Sequence, residues 1–277
     1  MNPAEIKIVR DLVLNRSGIV LDEGKEYLIE ARLGALAKSS GMASASELVS
    51  GCSKPNGKAI ERNIVDAMTT NETSFFRDIH PFELLKKQVL PDLIAQNATK
   101  RTLNVWCAAS STGQEPYTLA MTMRDNFPQL LSWKINFIAS DLSRDVLNRA
   151  CAGRYSQLEI NRGLPATMLV KYFRKDGQEW EIKPDMRAMI DFREINLLEA
   201  WPLMPALDLV FIRNVLIYFN TETKKKILGR IRNLMQPAGY LFLGGAETTL
   251  NIDDNFERMQ ADKSGCYRLR NRVAAAA

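Results

Sequence analysis

Histidine and cysteine are scarce in this 277-residue chain: it has one histidine, His80, and four widely separated cysteines, Cys52, Cys107, Cys151 and Cys266. Metal centres and disulfide scaffolds are built from clusters of those side chains, so no metal site and no disulfide framework are expected. No apolar run approaches the roughly 20 residues that a membrane helix needs, and the start, Met1-Asn-Pro-Ala-Glu-Ile-Lys7, has no signal-like hydrophobic segment. The protein is therefore expected to stay in the cytoplasm, with no direct membrane insertion. Also absent are a G-x-x-x-x-G-K-[ST] phosphate cradle, an arginine-rich tract and the aromatic signature of RNA-binding sheets.

Charge of either sign is plentiful but balanced. Lys and Arg number 37 against 32 Asp and Glu, a formal +5 with a pI near 9.0, and the two signs are interspersed. So mild an excess favours an anionic partner, an acidic protein surface or an anionic membrane ahead of nucleic acid. A hydrophobic content of 46% is enough for a sizeable core in one large or two modest domains.

Residues 1 to about 68 carry helical periodicity without a convincing strand. Ile6, Val9 and Val13 share a face, as do Leu28, Ala31, Ala35 and Leu36, and then Ile60, Ile64, Ala67 and Met68. A helical N-terminal domain over 1–70 follows, then a linker and helix over 71–100. From 101 to 272, apolar runs alternate with amphipathic helices: strands are expected at 103–107, 135–139, 207–212 and 240–243, with Ser143 capping one helix. Such alternation gives an α/β fold around a doubly wound, mostly parallel sheet. Two antiparallel pieces interrupt it. One is a small β insertion at about 174–192, with a turn at Asp176-Gly177; the other is a closing hairpin of 256–259 and 266–269. The tail, 273–277, is expected to be disordered.

Leu103-Asn-Val-Trp-Cys-Ala-Ala-Ser-Ser-Thr-Gly-Gln-Glu-Pro-Tyr117 reads as strand, small-residue loop and helix, the form of a nucleotide site. Gly113 alone stands where a dinucleotide fingerprint has three glycines, so a pyrophosphate fits poorly. A phosphate-free adenosine ligand, S-adenosylmethionine, fits better. Asp141 ends the second strand, where an acid can take the ribose hydroxyls, and Glu115 can meet the ligand's positive groups. Asp141 could equally cap the helix after it, and Glu115 could merely complement that helix dipole. Asn71-Glu-Thr-Ser-Phe-Phe-Arg77 is dense in specific polar groups, with Phe75 and Phe76 expected to help seal a domain interface. Arg213-Asn214, ending a buried strand, points to the same crevice.

Those stretches, with Ala139-Ser-Asp141 and Arg213-Asn-Val-Leu-Ile-Tyr-Phe219, closely resemble the CheR-type chemotaxis receptor methyltransferases over nearly the whole chain. The resemblance implies a Rossmann-like methyltransferase sheet and methyl transfer from S-adenosylmethionine to glutamates on the cytoplasmic domains of chemoreceptors, leaving S-adenosylhomocysteine. It implies that Asn71, Thr73, Arg77, Glu115, Asp141, Asn196, Leu197, Asn214 and Val215 form the cofactor pocket, and that Arg77 and Tyr218 stand nearest the reacting carboxylate. It also implies that the β insertion can dock a receptor's C-terminal peptide, which not every member uses. Gln114 departs from relatives that carry a second glutamate there. A methyltransferase of RNA or a metabolite, and a non-catalytic receptor adaptor, are the alternatives. A monomer is expected, and Lys25 and Arg32 on the second helix could share a cationic face toward the receptor.

Overall fold

Helix starts and stops near the amino terminus follow local chemistry. The computed structural model describes residues 1–55, 57–260 and 263–270, so the tail expected at 273–277 lies outside the described residues. The chain divides into two units: residues 1–70 with 196–200 and 218–223, and residues 71–195 with 201–217 and 224 onward. In the first unit, α1 (Pro3–Ser17) opens with a reciprocal capping box: Asn2 Oδ1 accepts from Glu5 N (2.9 Å), and Glu5 Oε2 accepts from Asn2 N (2.8 Å). Gly18, left-handed at φ 75°, ends the helix, and Ile6, Val9 and Val13 are buried as expected.

The next helix, α2 (Glu26–Ser39), buries Ile29, Leu33 and Ala37 instead of the expected stripe, and Leu28 is 38% exposed. Apolar residues surround most of this helix, so periodicity alone does not choose a side; the structure buries the face that carries Ile29 and Leu33. α3 (Ala45–Gly51) and α4 (Gly57–Met68) complete the unit, with Leu48, Ile64, Val65 and Met68 buried. Arg32 is not part of an open cationic face. Its guanidinium donates to the carbonyls of Met68 (2.8 Å) and Thr69 (2.9 Å), two of the acceptors that the end of α4 leaves unsatisfied. Lys25 pairs with Asp22 at 2.6 Å.

The second unit begins with α5 (His80–Leu84) and α6 (Leu90–Gln96), joined by a π turn at Leu85–Val89. Pro91, which lacks an N–H and crowds the carbonyl four residues back, accounts for that widened turn. The chain continues through β1 (Thr102–Ala108), α7 (Gln114–Asn126), β2 (Lys134–Asp141), α8 (Arg144–Ala152) and β3 (Arg154–Ser156). After α9 (Gln157–Asn161) and α10 (Ala166–Tyr172) come β4 (Phe173–Asp176), β5 (Glu179–Ile182), α11 (Pro184–Arg187) and β6 (Asp191–Glu194). Last are β7 (Leu207–Ile212), α12 (Thr221–Leu234), β8 (Met235–Leu243), β9 (Phe256–Arg258) and β10 (Gly265–Leu269).

The main sheet has the order β6-β2-β1-β7-β8-β10-β9, parallel from β6 through β8 and antiparallel on either side of β10. All six residues of β7 are buried, and the run is apolar except at Asp208, whose carboxylate accepts from Asn104 N (2.8 Å) and Asn97 Nδ2 (3.3 Å). Phe211 stacks on Phe242 (4.4 Å between centroids), and Phe82 of α5 lies over Phe211 at 6.1 Å. The separate antiparallel sheet, β3-β5-β4, has the hairpin expected at Asp176-Gly177 but not the expected limits. Its third strand comes from upstream, at Arg154–Ser156, whereas Asp191–Glu194 pairs with β2 as an edge of the main sheet. Short alternating strands carry no mark of which sheet they join. Chain order reverses at β1, which lies between β2 and β7, so the ends of β1 and β7 border the crevice where open α/β sheets bind ligands.

Candidate functional site

The loop after β1 is folded by its backbone. Ala109 (φ 54°), Ser111 (φ 49°) and Gly113 (φ 94°) are all left-handed, and the first two are side-chain-bearing residues in a conformation that disfavours them. A Cβ on Gly113 would lie 3.0 Å from Ala150 Cβ and 3.1 Å from the Tyr155 hydroxyl, so a side chain there would be strained by both its backbone and its neighbours. Two tyrosines brace the turn: Tyr155 donates to the Thr112 carbonyl (2.8 Å) and Tyr117 to the Ala150 carbonyl (2.7 Å). Burial holds both phenols protonated.

Asp141 takes the capping role that its position allowed and also braces the β1 loop. Its Oδ1 accepts from Ser143 N (3.1 Å), capping α8, while Oδ2 accepts from Ser111 N (2.9 Å) and ties the end of β2 to the β1 loop. Ser143 stands at the N-cap, but its own side chain makes no capping bond, so the capping role expected of it falls to Asp141. Burial pushes the Asp141 carboxyl above the ordinary aspartate range, against the pull of those N–H groups.

The segment 71–78 meets the same loop within the second unit. Ser111 Oγ donates to the Asn71 carbonyl (2.7 Å), and Phe76 N donates to Thr118 Oγ1 (3.2 Å). Phe75 and Phe76 pack inside this unit: Phe75 meets Tyr155 and Phe173 edge-on (5.0 and 5.7 Å), and Phe76 meets Phe82 (5.6 Å). Thr73 is half-buried, and Arg77 donates to the Glu72 carbonyl at 2.9 Å.

Glu115 and Arg213, expected as separate pointers, are partners. Arg213 Nη1 binds Glu115 Oε2, while Nη2 donates to the Arg77 carbonyl (3.1 Å) and to Asp78 Oδ2 (3.0 Å). The other Glu115 oxygen accepts from the Cys107 thiol (3.4 Å), which burial keeps protonated. Gln114, 2% exposed, accepts from Thr112 Oγ1 at 2.7 Å.

Asn214 is left-handed at φ 59°, and the clamp that holds it escaped sequence reading. Glu247 Oε2 accepts from Asn214 N (2.8 Å) and Gly244 N (2.6 Å), while Oε1 accepts from Val215 N (2.9 Å) and Ile217 N (3.3 Å). One carboxylate, 8% exposed, thus shapes the loop that presents Asn214 and Val215. Asp78 and Tyr155 were missed as well. A single acid or tyrosine bound to backbone leaves no spacing to read, although Gly244-Gly245 before Glu247 does mark a turn.

Asn71, Thr73, Arg77, Glu115, Asp141, Asn214 and Val215 all belong to the second unit. Asn196, Leu197 and Tyr218 belong to the first, where Asn196 Nδ2 donates to the Arg16 carbonyl (2.7 Å) and the Tyr218 carbonyl accepts from Val20 N (2.9 Å). Among the described residues, no three His, Cys, Asp or Glu gather as a metal site, and no helix is long and apolar enough to cross a membrane.

Comparison with known proteins adds to this geometry. Residues 71–264 match the family described as CheR methyltransferase, SAM binding domain, and residues 4–69 match its all-alpha domain. The chain is 41% identical over 272 residues to chemotaxis protein methyltransferase 1 of Pseudomonas aeruginosa, covering 96% of this chain and 98% of the relative. It is 40% identical to chemotaxis protein methyltransferase Cher2 of Pseudomonas putida, covering 91% and 93%. It is 36% identical to the chemotaxis protein methyltransferase of Vibrio parahaemolyticus, covering 92% and 93%.

Proposed function

The chain belongs to the CheR methyltransferase family and is an S-adenosylmethionine-dependent methyltransferase of chemotaxis proteins; from that premise we propose that it esterifies glutamate side chains on the cytoplasmic region of chemoreceptors. The observation that carries the proposal is the knot of four sequence motifs, the 71–77 segment and those at the carboxyl ends of β1, β2 and β7. Ser111 joins Asp141 to Asn71, and Arg213 joins Glu115 to the Arg77 backbone.

The residues present fit the donor. The small side chains of Ala108, Ala109, Ser110 and Ser111 leave the backbone approachable, and no lysine or arginine stands in that loop for a phosphate. Asp141 meets the backbone N–H groups of Ser111, Leu142 and Ser143, which leaves room among a carboxylate's roughly four acceptor positions for a ribose hydroxyl. Asn71, Thr73, Arg77, Glu115, Asp141, Asn214 and Val215 would hold the donor from this unit, with Asn196, Leu197 and Tyr218 joining the proposal through the family resemblance alone.

When bound, the donor supplies an electrophilic methyl on a sulfonium. A glutamate with a reference pKa of about 4.3 is already an ionised nucleophile at neutral pH, so the protein need not supply a base. Its work is orientation and exclusion of water around charges that cancel as they react. Arg77 orients the acceptor carboxylate; too tight a pair would lower its nucleophilicity. The protein works in the cytoplasm as a monomer, without nucleic acid, and receptors that end in a suitable peptide can dock it on the β3-β5-β4 sheet.

Labelled methyl transfer to receptor cytoplasmic fragments, with and without their C-terminal residues, tests acceptor and docking together. The expected product releases its label in mild alkali, as a methyl ester does. Alkali-stable label, or none on any fragment, refutes the glutamate assignment.

A further inference from the structure

The main sheet is left half-covered along β2. On one side β1 pairs with Lys134–Ser140, but on the other β6 reaches only Ile138–Asp141. Lys134 N donates to the Arg101 carbonyl and the Ser140 carbonyl accepts from Ser110 N, both 2.9 Å and toward β1, whereas the Asp141 carbonyl accepts from Ile195 N (3.0 Å) on the β6 side. Alternation along a parallel strand therefore turns the N–H and C=O of Ile135 and Phe137 away from β1. Beside Ile135 no strand stands to receive them among the described residues.

At that place the chain leading into β6 diverges from β2, and a cleft of about 440 Å³ is lined by Ile135–Ile138, Met189, Leu203 and Pro205. Leu203 is 101% exposed, and Leu131, 66% exposed, borders a mostly apolar recess with Phe127, Leu130, Ile135 and Met189. Two large apolar side chains thus flank an open backbone edge. Native sheets usually blunt such an edge with charge, proline or a covering loop, because it is a template for another strand. Its donors and acceptors recur at the strand repeat of about 3.3 Å, which an extended polypeptide matches and a nucleic acid or a metabolite does not.

Charge narrows the partner further. Arg101 and Lys134, joined through their backbones at the start of the edge, are exposed and make no ion pair among the described residues. Asp191 and Arg193, on the other wall, neutralise each other at 2.5 Å. The unmatched charge is positive, and it calls for an acid.

We propose that the open edge of β2 docks an extended acidic and apolar segment of a partner protein. The segment adds as a strand beside Ile135, sets a large apolar side chain among Leu131, Phe127 and Met189, and places a carboxylate against Lys134 and Arg101. This surface is separate from the donor site: from Ile135 to Asp141 is about 20 Å at roughly 3.3 Å per residue, so a docked partner leaves the carboxyl ends of the strands open.

The probe is a fluorescently labelled peptide, Asp-Glu-Val-Leu-Val-Thr, titrated against the full chain by anisotropy. One control peptide is N-methylated along its backbone, and another carries Lys-Lys in place of Asp-Glu. Saturable binding is expected, abolished by N-methylation and weakened roughly tenfold or more by the lysines. Leu131→Asp should weaken it roughly tenfold or more, and Lys134→Glu about three- to tenfold with reduced salt dependence. Both side chains are exposed, so methyl transfer and Tm are expected to stay at wild-type values; should Leu131→Asp lower Tm, Lys134→Glu carries the comparison. On binding, the amide of Ile135 should exchange its hydrogen more slowly. No binding at millimolar peptide overturns the proposal, as does equal binding of the N-methylated peptide or an affinity untouched by either substitution. A concentration-dependent dimer that Leu203→Asp disrupts also overturns it, because the edge then belongs to a second copy of the chain.

Discussion

Replacing Glu247 by glutamine removes one oxygen from a carboxylate that accepts four backbone N–H groups. Glutamine keeps one acceptor oxygen for two of the donors at Asn214, Val215, Ile217 and Gly244, and turns an NH2 toward the other two. Each N–H left without an acceptor costs about 1–3 kcal/mol, so the change amounts to about 2–4 kcal/mol after partial solvent access is allowed for. The loop can relieve that cost by leaving its native path, the more readily because Asn214 is held left-handed at φ 59°. Loss should then appear mainly as donor affinity: Kd for S-adenosylhomocysteine is expected to rise roughly 30- to 700-fold by calorimetry, since about 1.4 kcal/mol is tenfold. If the loop holds, the same energy appears as a fall in Tm of roughly 4–12 °C. Product affinity and Tm both at wild-type values would refute the clamp.

Arg77→Ala should lower turnover at saturating donor by roughly 100-fold while product binding weakens less, because orientation of the acceptor is lost; radiolabelled transfer measures it, and undiminished turnover rejects the role. Burial raises the Asp141 carboxyl, so its ionised, accepting form is lost at a higher pH than the ordinary aspartate value of about 3.9. Donor affinity should therefore fall on acidification through that raised pKa, and Asp141→Asn should remove this acid limb; a wild-type binding curve flat down to the ordinary aspartate range would count against Asp141 as a ligand.

The legible parts of the fold are those where one residue pattern admits one structure. Apart from Asp208, the six-residue run of β7 is apolar on both faces and reads as a central strand, and the face of α1 follows from Ile6, Val9 and Val13 alone. Where α2 offered apolar residues all round, the inward side was decided by packing with partners far away in sequence. Likewise Asp191–Glu194 reads as a local hairpin piece, yet its partner is β2, some fifty residues upstream. The site divides along the same line. Asp141 and the 109–113 loop announce themselves because their chemistry is concentrated in one short stretch. Glu247 does not, because all its partners are main-chain N–H groups.

The pairing of Glu115 with Arg213 alters what the site can be asked to do. An acid beside the β1 loop suggests an open negative charge ready for a cationic donor, but one Glu115 oxygen is bound by Arg213 and the other accepts from Cys107. A buried ion pair of this kind contributes little net stability, yet removing one partner strands the other charge. Its structural effect is clear: through the Arg77 carbonyl and Asp78, Arg213 fixes the segment that carries Arg77 to the end of β7. Its chemical effect follows from the reaction proposed above. Methyl transfer from a sulfonium to a carboxylate destroys both charges, so a fixed, uncompensated anion would favour the charged reactants over the nearly neutral transition state. Compensation by Arg213 removes that bias, so in the proposed reaction Glu115 would orient the donor by hydrogen bonding rather than hold it by charge.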